Sequence, residues 1–188
     1  MNKTVLQLKE MRRAMRVYVL MLYEMAFEMK PENVLEIGTG QCQSTRVIAS
    51  ALEENKKGKL ITVDTGNRES RFNEYSHLKP YVQFIIGDSH SEEVFNQVPK
   101  VEYDMLLIDG DHSYKGVKKD FEMYAPLVKE RGLILLHDIT NTDQTVYKFW
   151  KEIKYPKVGL EYGWTKYGGQ GGMIPGMGIV QVINYEKI

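Results

Sequence analysis

The sequence has little of what marks a disulfide-bonded, membrane-spanning or nucleic-acid-binding protein. Cys42 is its one cysteine in 188 residues, so a single chain forms neither an internal disulfide nor a zinc cage of several cysteines. Its 25 Lys and Arg residues balance 25 Asp and Glu residues, whereas nucleic acids and anionic membranes usually bind proteins with excess positive charge. Its most apolar early stretch, residues 18–27, includes Glu24 and is much shorter than the roughly 20 apolar residues that span a membrane. We therefore expect a cytoplasmic protein whose partners are neither membranes nor nucleic acids.

Residues 4–29 have the pattern of one long amphipathic helix. Apolar side chains recur there at steps of three and four residues, at Met11, Met15, Tyr18, Leu22, Met25 and Met29. Pro31 predicts where the helix ends, because a proline disfavours helical backbone in the residue before it. Two interpretations stay open. The apolar stripe either packs on the body of the domain or, since methionine adapts to varied surfaces, forms a substrate lid or the contact face of a homo-oligomer.

After Pro31, short apolar runs alternate with stretches of helical period. The runs predict strands at residues 34–37, 60–63, 82–86, 103–108 and 133–136, and the periodic stretches predict helices at 44–52, 69–78, 115–128 and 145–153. This alternation is typical of a parallel sheet with helices on both faces. Two further strands, at 158–162 and 178–183, are expected to pair antiparallel across a mobile glycine-rich loop. The chain is thus predicted to be one domain over 1–188, with a helix in 1–30, a ligand-binding core in 32–155 and closing strands in 156–188.

Polar residues collect where the predicted strands end, and ligands of open α/β sheets bind beyond those ends. The first strand runs into Glu36, Gly38 and Gly40, and the two glycines allow a tight turn and close approach of backbone to a ligand. The second strand ends in Asp64, at the distance from the glycines where an acidic side chain accepts the hydroxyls of a ribose. Asp88, after the third strand, is placed to accept a hydrogen bond from an adenine amino group. These residues together predict a nucleoside site.

The kind of nucleoside is indicated by Glu36 and Gln43. A dinucleotide-binding loop has Gly or Ala three positions after its second glycine, where this sequence has Gln43. A carboxylate beside the loop also suits a cation better than a pyrophosphate. The pattern therefore favours an amino acid–sulfonium ligand over NAD.

The fourth and fifth strands are predicted to end in Asp109 and in His137-Asp138. Because neighbouring strands lie about 4.8 Å apart, these side chains can converge on one divalent cation, and carboxylates suit Mg²⁺ or Mn²⁺. Histidine is a softer ligand that also admits Fe²⁺ or Zn²⁺. In the alternative interpretation, Asp111 or Asp138 caps the following helix and His137 is a hydrogen-bonded partner.

Taken together, these motifs resemble those of class I S-adenosylmethionine-dependent methyltransferases. The resemblance covers about residues 32–155 and is greatest to the branch with cephalosporin-hydroxylase-like proteins and macrocin-type O-methyltransferases. It is carried by Glu36-x-Gly38-x-Gly40, Asp64, Gly87-Asp88, Ile108-Asp109-Gly110-Asp111-His112-Ser113-Tyr114 and Leu136-His137-Asp138. The resemblance implies a Rossmann-like α/β fold, in which a seven-stranded, mostly parallel sheet has helices on both faces and an antiparallel last strand.

The resemblance also implies an activity and its site. The activity is O-methylation of a small-molecule hydroxyl on a sugar, natural product or phenol, with S-adenosyl-L-methionine as cofactor and Mg²⁺ or Mn²⁺ as a candidate second one. Asp111 is the implied general base, and His112 is a second candidate because histidine titrates near neutral pH. The expected metal ligands are Asp109, His137 and Asp138. The expected cofactor-binding residues are Glu36, Gly38, Thr39, Gly40, Ser44, Asp64, Thr65, Asp88, Ser89 and Asp109.

Two other functions stay open on the sequence. Asp109-Gly110-Asp111 after an apolar strand also fits a metal-dependent nucleotide-sugar glycosyltransferase, although that function leaves the glycine motif unexplained. A non-catalytic S-adenosylmethionine-binding protein needs the cofactor residues but neither a base nor metal ligands.

Overall fold

The computed structural model describes residues 18–140, 146–160, 164–167, 170–173 and 176–183, with backbone only for 164–167 and 170–173. The helices are α1 (Val19–Met29), α2 (Gln43–Asn55), α3 (Glu92–Gln97), α4 (Tyr114–Tyr124) and α5 (Val146–Glu152), and 3-10 segments lie at Glu69–Tyr81 and Ala125–Leu127. The strands are β1 (Asn33–Ile37), β2 (Lys59–Asp64), β3 (Val82–Ile86), β4 (Tyr103–Ile108), β5 (Val128–His137), β6 (Lys157–Leu160), β7 (Trp164–Tyr167), β8 (Gln170–Met173) and β9 (Met177–Gln181).

Seven strands form one sheet in the order β3-β2-β1-β4-β5-β9-β6. Strands β1 to β5 pair in parallel, whereas β9 runs antiparallel to both β5 and β6. The predicted sheet, including its antiparallel last strand, is therefore confirmed. The strand order reverses between β1 and β4, and ligands of such sheets bind in the crevice beyond the strand ends at that point.

The two faces of the sheet carry separate apolar cores because successive strand side chains point to opposite sides. On β4, for example, Leu106 and Ile108 join the core beneath α4 and α5, whereas Met105 and Leu107 join the core beneath α1 and α2. All four side chains are at most 3% exposed. Helices therefore cover the sheet on both faces, as the apolar strands predicted.

The N-terminal helix is confirmed over the part that the structure describes. Helix α1 ends at Met29, and Lys30 adopts a left-handed conformation (φ 48°) directly before Pro31. Tyr18 and Leu22 are buried against the domain, while Met29 is exposed, so this half of the stripe packs on the domain. The predicted helical residues before 18 lie outside the described residues. No helix in the described part of the chain combines the length and apolar character needed to cross a membrane.

Two predicted segments take other forms. The helix expected at 69–78 is a 3-10 segment, Glu69–Tyr81, interrupted at Tyr75, because only Phe72 and Leu78 are buried there and no apolar face supports a regular helix. The glycine-rich stretch expected to be a loop contains β7 and β8, which pair as a two-stranded antiparallel sheet. Helix α3 was missed because it has six residues and buries only Val94.

Candidate active site

A cavity of about 550 Å³ opens at the carboxyl ends of β1 to β4. Its volume is in the range of small-molecule sites. The cavity brings together Gly38, Gly40, Asp64, Thr65, Asp88, Ser89, Asp109 and Asp111 from the predicted set, together with Arg68 and His90, which the sequence did not single out. Glu36, Thr39 and Ser44, also predicted to bind the cofactor, are not among its lining residues and are buried.

Gly38 joins the loop after β1 to the segment after β4. Its φ is +98°, and a Cβ built on it would lie 2.2 Å from the backbone oxygen of Asp109. The Gly38 N–H donates to the Val63 carbonyl at 2.8 Å, and the Asp109 N–H donates to the Ile37 carbonyl at 2.8 Å. The loop therefore lies against the ends of both neighbouring strands, and position 38 has room for no side chain.

Glu36 lies beneath this loop, fully buried, on the face of the sheet covered by α2. Its carboxyl group accepts hydrogen bonds from the hydroxyls of Ser44, Thr45 and Thr62, and the hydroxyl of Thr39 lies 2.6 Å from that of Thr62. Burial raises the pKa of Glu36 to about 7, although the three hydroxyl groups act in the opposite direction. Glu36 thus ties β1, β2 and the start of α2 together and supports the glycine loop from behind.

The Asp64 carboxylate lies at the mouth of the same loop. One of its oxygens accepts the Gly40 N–H at 2.8 Å, and the other accepts the Gly66 N–H at 2.8 Å and the Arg68 Nε–H at 2.9 Å. A ligand hydroxyl that binds Asp64 must therefore share this carboxylate with the loop or replace Arg68. Arg68 follows Asp64 by four residues, but nothing in its sequence context marked it as part of the site.

Acidic and imidazole side chains converge after β4 and β5. One ligand atom each from Asp109, His112 and His137 lies within 4.8 Å of the others. His112 Nε2 lies 3.1 Å from Asp109 Oδ1, and His112 Nδ1 lies 2.6 Å from Asp138 Oδ2. Two of the three predicted metal ligands, Asp109 and His137, therefore lie in this group together with His112, whereas the third, Asp138, contacts His112 from outside it.

His137 fits the role of a metal ligand. It is 7% exposed, and among the described residues neither of its ring nitrogens has a hydrogen-bond partner. Its Nδ1 lies 3.0 Å from Asp109 Oδ1, which provides charge attraction without hydrogen-bond alignment. Buried polar groups are normally satisfied, so this imidazole is suited to bind a cation that takes the place of its second proton.

Charge pairing controls protonation in this cluster. Burial alone would raise the pKa of Asp109, but the charge of His137 and the hydrogen bond from His112 outweigh it and lower that pKa to about 2. Hydrogen bonds to Asp109 and Asp138 raise the pKa of His112 to about 11. In this arrangement His112 keeps its proton at neutral pH and acts as a donor.

Asp111 differs from its neighbours in being exposed on the cavity wall. One of its oxygens accepts the Ser113 N–H at 2.8 Å at the start of α4, where the Ser113 hydroxyl in turn accepts the Gly116 N–H. The turn therefore orients the Asp111 carboxylate and leaves it open to a molecule in the cavity.

The cavity and its cluster coincide with a known domain. The sequence profile of the family described as "Methyltransferase domain" matches residues 35–139, more than half of the chain. The chain belongs to this methyltransferase domain family. The match extends from β1 to just beyond Asp138, so it includes every loop that lines the cavity. The resemblance to methyltransferases found in the sequence is thereby confirmed.

Solved O-methyltransferases share the fold. The O-methyltransferase TomG from Streptomyces achromogenes, which is involved in tomaymycin synthesis and was solved with SAM, superposes with a TM-score of 0.70 at 16% identity, covering 98% of this chain and 91% of that one. An O-methyltransferase from Bacillus cereus, solved with SAH, gives 0.70 at 17% identity, covering 97% and 92%. Likeness at such low identity establishes the fold alone.

Two curated relatives are similar in sequence. An uncharacterised protein of Sinorhizobium fredii is 24% identical over 71% of this chain, and one of Acanthamoeba polyphaga mimivirus is 33% identical over 60% of it. The matched regions span 16% and 53% of those two proteins, respectively.

Proposed function

We propose that the protein transfers the methyl group of S-adenosylmethionine to a hydroxyl oxygen of a small-molecule acceptor. The observation that carries this proposal is the cavity at the strand-order reversal, where a glycine loop and Asp64 meet within a methyltransferase domain. The structures of TomG and the B. cereus enzyme, solved with SAM and SAH, support the same cofactor here.

The proposed cofactor site follows the cavity wall. Gly38 and Gly40 present backbone to the amino acid end, Asp64 accepts from the ribose hydroxyls, and Asp88 accepts from the adenine amino group. S-adenosylmethionine supplies an activated methyl group at its positively charged sulfur. The carboxylates of Asp64, Asp109 and Asp111 on the wall favour a cationic ligand.

The acceptor hydroxyl has to lose its proton when its oxygen attacks, and we assign that proton to Asp111. Its carboxylate is exposed to the cavity and oriented by Ser113, which suits a general base. His112 is held between Asp109 and Asp138, so neither of its ring nitrogens is directed at the acceptor, and we do not assign it as the base. Alignment of the reacting groups then provides most of the remaining acceleration.

We propose further that Asp109, His112 and His137 hold a divalent cation, with Asp138 accepting a hydrogen bond from His112 Nδ1. Each imidazole would bind the cation without its second proton, which the cation would displace. A bound cation lowers the pKa of a coordinated hydroxyl and orients it. Two imidazoles with one carboxylate favour Mn²⁺ or another transition metal over Mg²⁺. The family match leaves the glycosyltransferase alternative without an observation in its favour.

The methyltransferase proposal is tested by replacing Asp111 with asparagine. Methyl transfer from labelled S-adenosylmethionine, screened on sugar, phenol and natural-product acceptors, is expected to fall about 100-fold because the general base is lost. The affinity for S-adenosylhomocysteine, measured by calorimetry, should stay unchanged. Glu122→Gln, a change of an exposed acid on the outer face of α4, serves as the control and should keep full activity. Full activity of Asp111→Asn would remove Asp111 from the mechanism, and binding of a nucleoside diphosphate instead of S-adenosylhomocysteine would favour a glycosyltransferase.

The metal proposal is tested by His137→Ala. Calorimetric titration and the electron paramagnetic resonance spectrum of Mn²⁺ are expected to show at least tenfold weaker binding than in the wild-type protein, because a buried ligand is missing. His77→Ala removes an exposed histidine outside the ligand group and should leave Mn²⁺ binding unchanged. Equal Mn²⁺ affinity in all three proteins would contradict the proposed ligand set.

A further inference from the structure

Asp120 is an acidic residue on the apolar face of α4. Val117, Phe121 and Tyr124 on the same face are buried in the core, and Asp120 falls among them at helical spacing with no exposed surface. Among the described residues its Oδ2 has no hydrogen-bond partner. Burying a carboxyl group with an unsatisfied oxygen is costly, so the packing of α4 alone does not account for this residue.

The other oxygen of Asp120 holds the loop after β3. Its Oδ1 accepts the Ser89 hydroxyl at 2.7 Å and lies 3.1 Å from Nε2 of His90. The hydroxyl of Tyr124, one turn further along α4, donates to the Ser89 carbonyl at 2.7 Å. Two consecutive residues of the cavity wall are therefore anchored to one helix.

This anchoring reaches Asp88. The backbone N–H of His90 donates to Asp88 Oδ1 at 2.9 Å, so the orientation of the Asp88 carboxylate depends on where residue 90 is held. The unpartnered Oδ2 of Asp120 lies close to Gly110, which also lines the cavity, since a Cβ built on Gly110 would lie 3.4 Å from it. Asp120 thus lies behind cavity-lining residues from both the loop after β3 and the segment after β4.

We infer that Asp120 is a positioning residue for recognition of the nucleoside base, acting through Ser89 and His90 on the Asp88 carboxylate. The inference rests on the proposed function, because Asp88 is there assigned to the adenine amino group. A carboxylate held in one orientation distinguishes a base that donates an amino hydrogen from one that presents a carbonyl oxygen. Asp120 therefore contributes to the choice of base without touching it.

The test compares S-adenosylhomocysteine with S-inosylhomocysteine, which has a carbonyl oxygen in place of the amino group. Calorimetry on the wild-type protein should show a clear preference for the adenine compound. Asp120→Ala and Ser89→Ala are each expected to weaken S-adenosylhomocysteine binding about tenfold and to change S-inosylhomocysteine binding little, so that the preference falls. Asp120→Asn keeps one acceptor oxygen and is expected to restore part of the preference.

Asp104→Ala is the matched control. Asp104 is also a buried acid, but it accepts the backbone N–H groups of Glu32 and Asn33 at the other edge of the sheet, so its loss should lower stability without changing the preference. The inference is overturned if Asp120→Ala and Ser89→Ala weaken the binding of both ligands equally, or change the binding of neither ligand. Asp120 would then be merely structural. If the wild-type protein binds neither ligand, the proposed function itself fails.

Discussion

Replacing Gly38 by alanine is expected to abolish cofactor binding and to lower the free energy of unfolding by about 3 kcal/mol. The backbone at position 38 has φ +98°, which side-chain-bearing residues rarely adopt, and the new methyl group would meet the Asp109 backbone oxygen at 2.2 Å. Relief of that contact would separate the loop after β1 from the end of β4, which together form one corner of the cavity. Chemical unfolding and calorimetry with S-adenosylhomocysteine measure the two effects.

Gly40→Ala is the matched control in the same loop. Gly40 also has a positive φ, of +50°, but no heavy atom lies within 4 Å of a Cβ built on it. Alanine there is expected to lower the free energy of unfolding by only about 1 kcal/mol, because a residue with a Cβ disfavours the left-handed conformation. Equal losses of stability in the two variants would mean that the contact with Asp109 is not what requires glycine at position 38.

The second large effect is a pH dependence of stability that Glu36 introduces. Burial raises the pKa of Glu36 from 4.5 to about 7, so between these values the folded protein holds a proton that the unfolded chain has lost. The stabilisation is complete below pH 4.5 and is lost as pH rises through about 7. A pKa difference of this size corresponds to roughly 3 kcal/mol.

The measurement compares wild-type protein with Glu36→Gln, which has nearly the same shape and does not titrate. Urea unfolding from pH 4.5 to pH 8 is expected to show the wild-type protein losing about 3 kcal/mol relative to this variant. Glu69→Gln, a change of an exposed acid, should follow the wild-type curve. Parallel curves for wild-type protein and Glu36→Gln would show that Glu36 has the same pKa in the folded and unfolded states.

The strands and their polar ends were predictable because both signals are local. Runs such as 105–108 are apolar on every residue, as buried parallel strands require. Asp64 and Asp109 follow such runs directly, and Asp88 follows one after Gly87. Since parallel strands end at one edge of a sheet, the sequence predicted that these carboxylates share one cleft, and all three line the cavity. The 3-10 segment and α3 were not predicted correctly, because short segments with few buried side chains leave no periodic pattern.

The role of each polar group within the site was decided by tertiary contacts. Glu36 was assigned to the cofactor by its neighbours in sequence, yet Thr62, 26 residues away, and two hydroxyls of α2 enclose it beneath the loop. The sequence does contain an indication of Asp120, because an acid at helical spacing among Val117, Phe121 and Tyr124 lies on the apolar face of its helix and is therefore expected to be buried.

The sequence by itself thus determined the sheet, the family and the edge at which ligands bind. It did so because hydrophobic periodicity and the residues that follow each strand are both properties of short stretches of sequence. Only the tertiary structure decided that Glu36 supports the loop, that His112 joins Asp109 and His137, and that Asp120 holds Ser89 and His90. The physical reason is that burial, protonation and hydrogen-bond partners depend on groups that are distant in sequence and meet only when the helices pack on the sheet.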